Sequence, residues 1–195
     1  MKTLFVDFDG TICHDRFWRS LSDAEYTLIQ SVLFGTETTM IKDWMCGRYT
    51  SEDTNQLVSE KTKLPYAYLW KNFVRDCQTM RVDPAILEVI TILRQHYSVI
   101  LITGNMDCFS RWTIPTLGLN KYFDTIVNSA KEGQLKTERN GETFLKYLSG
   151  GIADAILIED SPTSCTLFTT LGGTALPVTE QHSALQHLQS ISDKI

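Results

Sequence analysis

Close to the N-terminus stands Leu4-Phe5-Val6-Asp7-Phe8-Asp9-Gly10-Thr11, an apolar run closed by two carboxylates and a glycine. Its apolar residues are continuous rather than alternating, which is how a strand covered on both faces of a parallel sheet reads. The residues at 4–8 are therefore expected to form the first strand. Similar short runs, rich in β-branched residues, recur at 99–102, 125–127 and 155–158. A weaker fifth, at 174–178, follows Gly172-Gly173 and is interrupted by Pro177. Helical patterns lie between them. Asp83-Pro84 is an N-cap and first-turn pair, and Ile86, Ile90 and Leu93 then share one helix face. Shorter helical pieces at 143–148 and 165–171 precede Gly150-Gly151 and Gly172-Gly173. Strands alternating with helices predict an α/β fold, an open parallel sheet between two helical layers.

Residues 14–80 break this alternation. They hold no convincing strand but three helix starts: the capping box Ser22-Asp23-Ala24-Glu25, then Ser51-Glu52-Asp53, then Leu64-Pro65. These 67 residues carry 10 of the chain's 20 aromatics, Trp18, Trp44 and Trp70 among them. A small helical module needs large side chains to make a core, and that use is expected to outweigh an aromatic binding wall. The module is read as an insertion between the first two strands, giving a core of 1–13 with 81–195 and an insert of 14–80.

Composition narrows the function classes. The 195 residues are 43% hydrophobic with a net charge of −5, enough to bury a core and without the basic face that nucleic acid needs. Five cysteines, at 13, 46, 77, 108 and 165, are odd in number, widely spaced and free of any Cys-x-x-Cys. A disulfide framework or zinc site is not expected, and a reducing cytoplasm suits the chain. No apolar run approaches the roughly 20 residues of a membrane span. The opening Met1-Lys2-Thr3-Leu4-Phe5-Val6 imitates a leader, but Asp7 and Asp9 cut it short of the roughly 7–15 residues required. Neither a membrane nor a nucleic-acid partner is expected. Oligomeric state leaves no trace in the sequence.

The chemistry gathers at strand ends. Ligands of open α/β sheets bind at the carboxyl ends of the strands. If the first strand ran regularly to Asp9, Asp7 and Asp9 would point to the same side. Two such carboxylates repel each other and are costly to desolvate. Mg2+ is the ordinary cation for neutralising an oxygen-rich site. Gly10 lets the chain leave the strand at unusual dihedral angles.

Asp7-Phe8-Asp9-Gly10-Thr11 after an apolar strand resembles the first motif of the haloacid dehalogenase superfamily, and three further motifs follow in order. Val99-Ile100-Leu101-Ile102-Thr103-Gly104-Asn105 is similar to the second, whose hydroxyl binds the transferring phosphoryl group. Ser129-Ala130-Lys131-Glu132-Gly133-Gln134-Leu135-Lys136 resembles the third, with Lys136 at the motif position and Lys131 its competitor; Thr137 stands where many members have proline. Ala155-Ile156-Leu157-Ile158-Glu159-Asp160-Ser161 is similar to the fourth, whose acidic pair holds Mg2+; Ser164 replaces a glycine of the following turn. The matching skeleton covers 1–13 and 81–178, and residues 14–80 sit where such proteins insert a helical cap.

The resemblance implies a Rossmann-like core and a Mg2+-dependent phosphatase acting on a small phosphorylated metabolite. Asp7 would be the nucleophile that forms an aspartyl-phosphate, and Asp9 the general acid and base. Thr103, Gly104, Asn105 and Lys136 would bind the phosphoryl group. Asp7, the backbone carbonyl of Asp9 and Asp160 would hold the metal, with Glu159 acting weakly or through water. Dehalogenases of the superfamily lack the second aspartate, since a halide leaves without a proton, and P-type pumps need membrane helices. A phosphomutase is the alternative, and a non-catalytic binding module a more distant one. Weaker candidates have bland readings. His14 and Asp15 are taken as a polar hinge pair, Phe17 and Trp18 as core anchors, and Gly47-Arg48 as a surface turn. His182 and His187 are taken as surface residues, and Cys108 as an unactivated thiol.

Overall fold

The computed structural model describes residues 1–35 and 39–195. Five strands form one parallel sheet: β1 (Lys2–Val6), β2 (Tyr97–Thr103), β3 (Thr125–Asn128), β4 (Ile156–Glu159) and β5 (Thr174–Pro177). Their order is β3-β2-β1-β4-β5, with Val6 paired to Leu101 on one side and to Ile158 on the other. The chain builds outward from β1 in one direction, then returns to its other side. The crevice beyond β1 is therefore the topological switch point, where such sheets bind ligands.

The period of two in β1 divides its side chains between two cores. Leu4 and Val6 join an apolar cluster with Val99 and Leu101, under helices α5 (Pro84–Leu93) and α10 (Ala184–Ser192). Phe5 faces the other way with Ile100 and Leu157, under α8 (Glu142–Lys146) and α9 (Pro162–Thr170). There Phe5, Phe144 and Phe168 meet edge to face with centroids 5.0–5.8 Å apart, the favoured geometry for aromatic rings. Two single-turn helices, α6 (Ile114–Leu117) and α7 (Ser129–Glu132), complete the core. The strands end within two residues of their expected limits, and β1 stops at Val6 instead of reaching Phe8.

Between β1 and α5 run α1 (Asp23–Leu33), α2 (Met40–Met45), α3 (Ser51–Thr62) and α4 (Tyr66–Gln78). The expected insert also spans residues 36–38, which lie outside the described residues. Capping boxes open α1 at Ser22 and α3 at Thr50, one residue before the start read from sequence. These helices share an apolar cluster in which Trp18, Trp44, Val58, Leu69 and Phe73 are almost wholly buried, and Met106 and Cys108 from beyond β2 join it. This is the use for large side chains that a small module requires.

Polar ties bind the insert to the sheet domain. Asp107, just past β2, accepts hydrogen bonds from Trp44 Nε1 (2.8 Å), Ser51 Oγ (2.7 Å), Ser51 N (3.2 Å) and Arg111 Nη1 (3.0 Å). Arg111 also makes a forked pair with Glu52 on α3. Where the chain enters and leaves the insert, Arg81 bridges to Asp15. Gly47 sits at φ +71, and a Cβ there would come within 2.3 Å of the Ala130 carbonyl oxygen. The expected surface turn is thus also a point of close backbone contact. No helix among the described residues is long and apolar enough to cross a membrane.

Candidate active site

Asp7 occupies the first position past β1, where its N–H donates to Ile158 O at 3.0 Å and carries the sheet ladder one residue further. The chain then turns tightly, with Phe8 O accepting from the N–H groups of Thr11, Ile12 and Cys13. The strand therefore does not continue to Asp9, and the two aspartates part. Asp7 is buried, whereas the Asp9 side chain is 47% exposed. Gly10 holds the turn at φ +84, and a Cβ there would lie 2.2 Å from Asp160 Oδ2. Only glycine meets both demands. Thr11 Oγ1 accepts from Asp160 N (3.1 Å), and its one hydrogen is shared between Asp7 Oδ2 (3.3 Å) and Asp160 Oδ1 (3.5 Å).

Lys136 reaches into this cluster from the loop after α7. Its Nζ lies 2.6 Å from Asp7 Oδ1 and 2.5 Å from Glu159 Oε2, and donates to Ile102 O at 3.3 Å. Lys131 is exposed on α7, so it is Lys136 that the structure brings to Asp7. Burial alone would lower the Lys136 ammonium, but the carboxylates of Asp7 and Glu159 outweigh it and hold it above its ordinary value. Burial raises Asp7, with Lys136 opposing and Asp160 adding to the rise. Glu159 is pushed up to about 8, by burial first and by the charge of Asp7 second. Two buried carboxylates thus face one ammonium, which opposes their rise without cancelling it.

A cavity of about 400 Å3 opens over these groups, bordered by Asp7, Thr103, Gly104, Lys136 and Asp160. Thr103 ends β2 fully buried, and its Oγ1 has no hydrogen-bond partner among the described residues. An unpaired buried hydroxyl is costly, so this one is poised for a ligand atom. Met45 of α2 roofs the cavity, its Cε within 3.0 Å of where a Cβ of Gly104 would be. Ser129 Oγ donates to Met45 O at 2.6 Å and fixes that roof to the core. Asn105 does not line this cavity. Its Oδ1 accepts from Met106 N (2.9 Å), closing its own turn.

The donor set suits a hard divalent cation. Asp7, Glu159 and Asp160 each offer an oxygen within 4.8 Å of the others, and three carboxylates against one ammonium leave the site net negative. Asp9 stands at the edge, its Oδ1 2.6 Å from Arg16 Nη1. Its carboxyl is pushed up to about 6, mainly by desolvation, with Arg16 opposing and the charges of Asp7 and Asp160 reinforcing. A carboxyl near neutrality can both give and take a proton. Arg16 and Met45 border the site but carry no pattern in the sequence, and Thr11, although it closes the first motif, has no role legible there. The resemblance had placed Glu159 at the margin, and the structure gives it a direct contact with Lys136.

The weaker candidates fall elsewhere. Asp15 serves the hinge through Arg81, and Trp18 is core. The rings of His182 and His187 stack 5.9 Å apart, and neither lines the cavity. Cys108 is fully buried, and burial pushes its thiol well up.

The family model for haloacid dehalogenase-like hydrolases matches residues 1–163. Solved structures share the fold at low identity. A HAD family enzyme from Bacteroides thetaiotaomicron, crystallised with magnesium and inorganic phosphate, superposes with TM-score 0.71 at 15% identity, over 94% of this chain and 96% of its own. A HAD-like family hydrolase from Porphyromonas gingivalis gives 0.75 at 15% identity, over 98% and 97%. The L-2-haloacid dehalogenase from Xanthobacter autotrophicus with chloropropionic acid covalently bound gives 0.64 at 12% identity, over 93% and 80%. No curated protein matches the sequence.

Proposed function

The chain belongs to the haloacid dehalogenase-like hydrolase family, and on that premise we propose that it is a Mg2+-dependent phosphatase of small phosphorylated metabolites. In this reading Asp7 attacks phosphorus in line with the leaving oxygen, the P–O bond to that oxygen breaks, and Asp9 supplies its proton. Asp9 then removes a proton from water. The water oxygen bonds to phosphorus, the bond to Asp7 breaks, and phosphate departs with Asp7 restored. Thr103 Oγ1 and Lys136 Nζ hold the phosphoryl oxygens as charge develops on them. Asp7, Asp160 and the Asp9 carbonyl would hold Mg2+, with Glu159 beside them; the ion would offset charge on the phosphoryl group and on Asp7. The helical insert, taken as residues 14–80, acts as the cap that excludes water during the first step.

The observation that carries this reading is the second carboxyl. Asp9 borders the cavity over Asp7 together with Thr103 and Lys136, so its carboxyl faces the space a phosphoryl group would occupy. A leaving alkoxide needs such an acid and a leaving halide does not, which favours phosphate esters over haloacids. A cytoplasmic setting fits five cysteines that are all free. The test is phosphate release from p-nitrophenyl phosphate with Mg2+ and with EDTA, for wild type and Asp7→Asn. Metal-dependent release abolished by the substitution supports the reading. Turnover of 2-chloropropionate in place of phosphate esters contradicts it, and isomer conversion of a sugar phosphate without phosphate release assigns a mutase instead.

A further inference from the structure

Ser164 lines the cavity over Asp7 and is only 2% exposed. It is the third residue of α9, the helix that follows β4 and the acidic pair Glu159-Asp160. Its N–H donates to Oγ of Ser161, the N-cap, at 3.4 Å, and Ser161 N donates in turn to Glu159 Oε1 at 3.1 Å. The start of α9 is thus folded against the acidic pair. The Ser164 hydroxyl itself has no partner among the described residues. The chain is helical at this position, so no left-handed turn calls for the glycine that Ser164 replaces. A buried hydroxyl left unpaired is costly, and a ligand atom that pairs with it removes the cost. In the proposed reaction Thr103 takes a phosphoryl oxygen, and Ser164 remains on the wall that carries Glu159 and Asp160.

We infer that Ser164 is a positioning residue for the divalent cation, its hydroxyl accepting a hydrogen bond from a water held on Mg2+. This rests on the reading of Asp7, Asp160 and the Asp9 carbonyl as the ligands of the metal. Mg2+ demands a near-octahedral shell of oxygens and gives up water reluctantly, so a site with few carboxylates leaves part of that shell to water. Water on a dication is a strong donor, and its hydrogens need acceptors. A serine hydroxyl offers two lone pairs, and none of those on Ser164 is committed elsewhere in its side-chain bonding. Partners of this kind, which orient what the metal holds without touching the metal, are worth about 10–100-fold in affinity.

The test is titration calorimetry of Mg2+ and of Ca2+ into the full chain, without any phosphate, for wild type, Ser164→Ala and Ser164→Gly. With no phosphate present, a hydroxyl that served only the substrate would leave metal affinity unmoved. Both variants are expected to bind Mg2+ at least about tenfold more weakly. Ca2+ is larger and fills its shell with bidentate carboxylates, so Ser164→Ala is expected to weaken it less than about threefold. Melting adds a readout of opposite sign in the two states. In EDTA, Ser164→Ala removes an unpaired buried hydroxyl and is expected to melt no lower than wild type. With Mg2+, wild type holds the ion more tightly and is expected to melt higher than the variant. Ser164→Gly also loosens the helix backbone, so only its affinities are read. Unchanged Mg2+ affinity in both variants, equal losses for Mg2+ and Ca2+, or a lower melting point of Ser164→Ala in EDTA overturns this inference and leaves the metal site intact. No Mg2+ binding by wild type overturns the metal site, and this inference with it.

Discussion

Lys136→Met should damage stability and chemistry together, and the two effects can be separated. The ammonium belongs to a buried side chain, 2.6 Å from Asp7 and 2.5 Å from Glu159. Methionine keeps most of the volume and removes the charge, leaving two carboxylates buried without a counterion. Removing one partner of a buried pair costs about 3–5 kcal/mol. For a chain of this length, that lowers Tm by roughly 6–20 °C. The pH dependence has a definite sign. Lys136 is raised above its unfolded value of 10.5, so its contribution is present throughout the range below that and is lost only in strong alkali. The carboxylates behave oppositely. Glu159 is already raised from 4.5 to about 8, and losing Lys136 raises it and Asp7 further. A raised carboxyl leaves the fold unpenalised below its unfolded pKa and destabilises it progressively as pH climbs towards the folded value. The deficit of the variant should therefore be large at pH 8 and shrink towards pH 5. Urea denaturation in EDTA at both pH values measures this. A loss below about 1 kcal/mol at pH 8, or a deficit that grows in acid, would refute the charge argument. Activity with Mg2+ should fall about 10²–10³-fold, the range for removing one transition-state donor.

Other perturbations have equally definite signs. Arg16→Ala removes the group that opposes the rise of Asp9, so the limb of the pH–rate profile assigned to Asp9 should move above about 6; an unmoved limb would mean that Asp9 is not the titrating acid. Gly10→Ala forces a Cβ to 2.2 Å from Asp160 Oδ2 at φ +84 and should weaken Mg2+ affinity at least about tenfold while costing roughly 1–3 kcal/mol of stability, by calorimetry and melting. Asp107→Asn weakens the tie between the insert and the core and should cost about 2–3 kcal/mol. Burial pushes Asp107 up, but its bonds to Ser51, Trp44 and Arg111 prevail and depress its carboxyl below 3.8. That contribution is present above 3.8 and lost as pH falls through the depressed value, so wild type and variant should converge only in strong acid.

The sheet was legible because β1, β2 and β4 are buried on both faces and so read as unbroken apolar runs. The edge strand β5 was fainter, being half-exposed and ending in Pro177. Helices α6 and α7, four residues each, are too short to show a period. Asp7, Thr103, Lys136 and Asp160, which the fold gathers around one cavity, stood out in the sequence because each lies at a strand end or in an ordered motif. The shared direction of Asp7 and Asp9 was conditional on a regular strand, and the turn that begins at Phe8 removes that condition. Arg16 could not be read, because an arginine in a hinge has no periodic or motif context; only the fold sets it against Asp9.

The central claim is that Asp7 carries the phosphoryl group. It is tested most directly by quenching the enzyme during turnover of p-nitrophenyl phosphate, reducing acyl phosphates with borohydride, and mapping the peptides by mass spectrometry. The account predicts homoserine at position 7, formed only when Mg2+ and substrate are both present. Phosphate release that persists in Asp7→Asn, or reduction at a different carboxylate with Asp7 untouched, would contradict it.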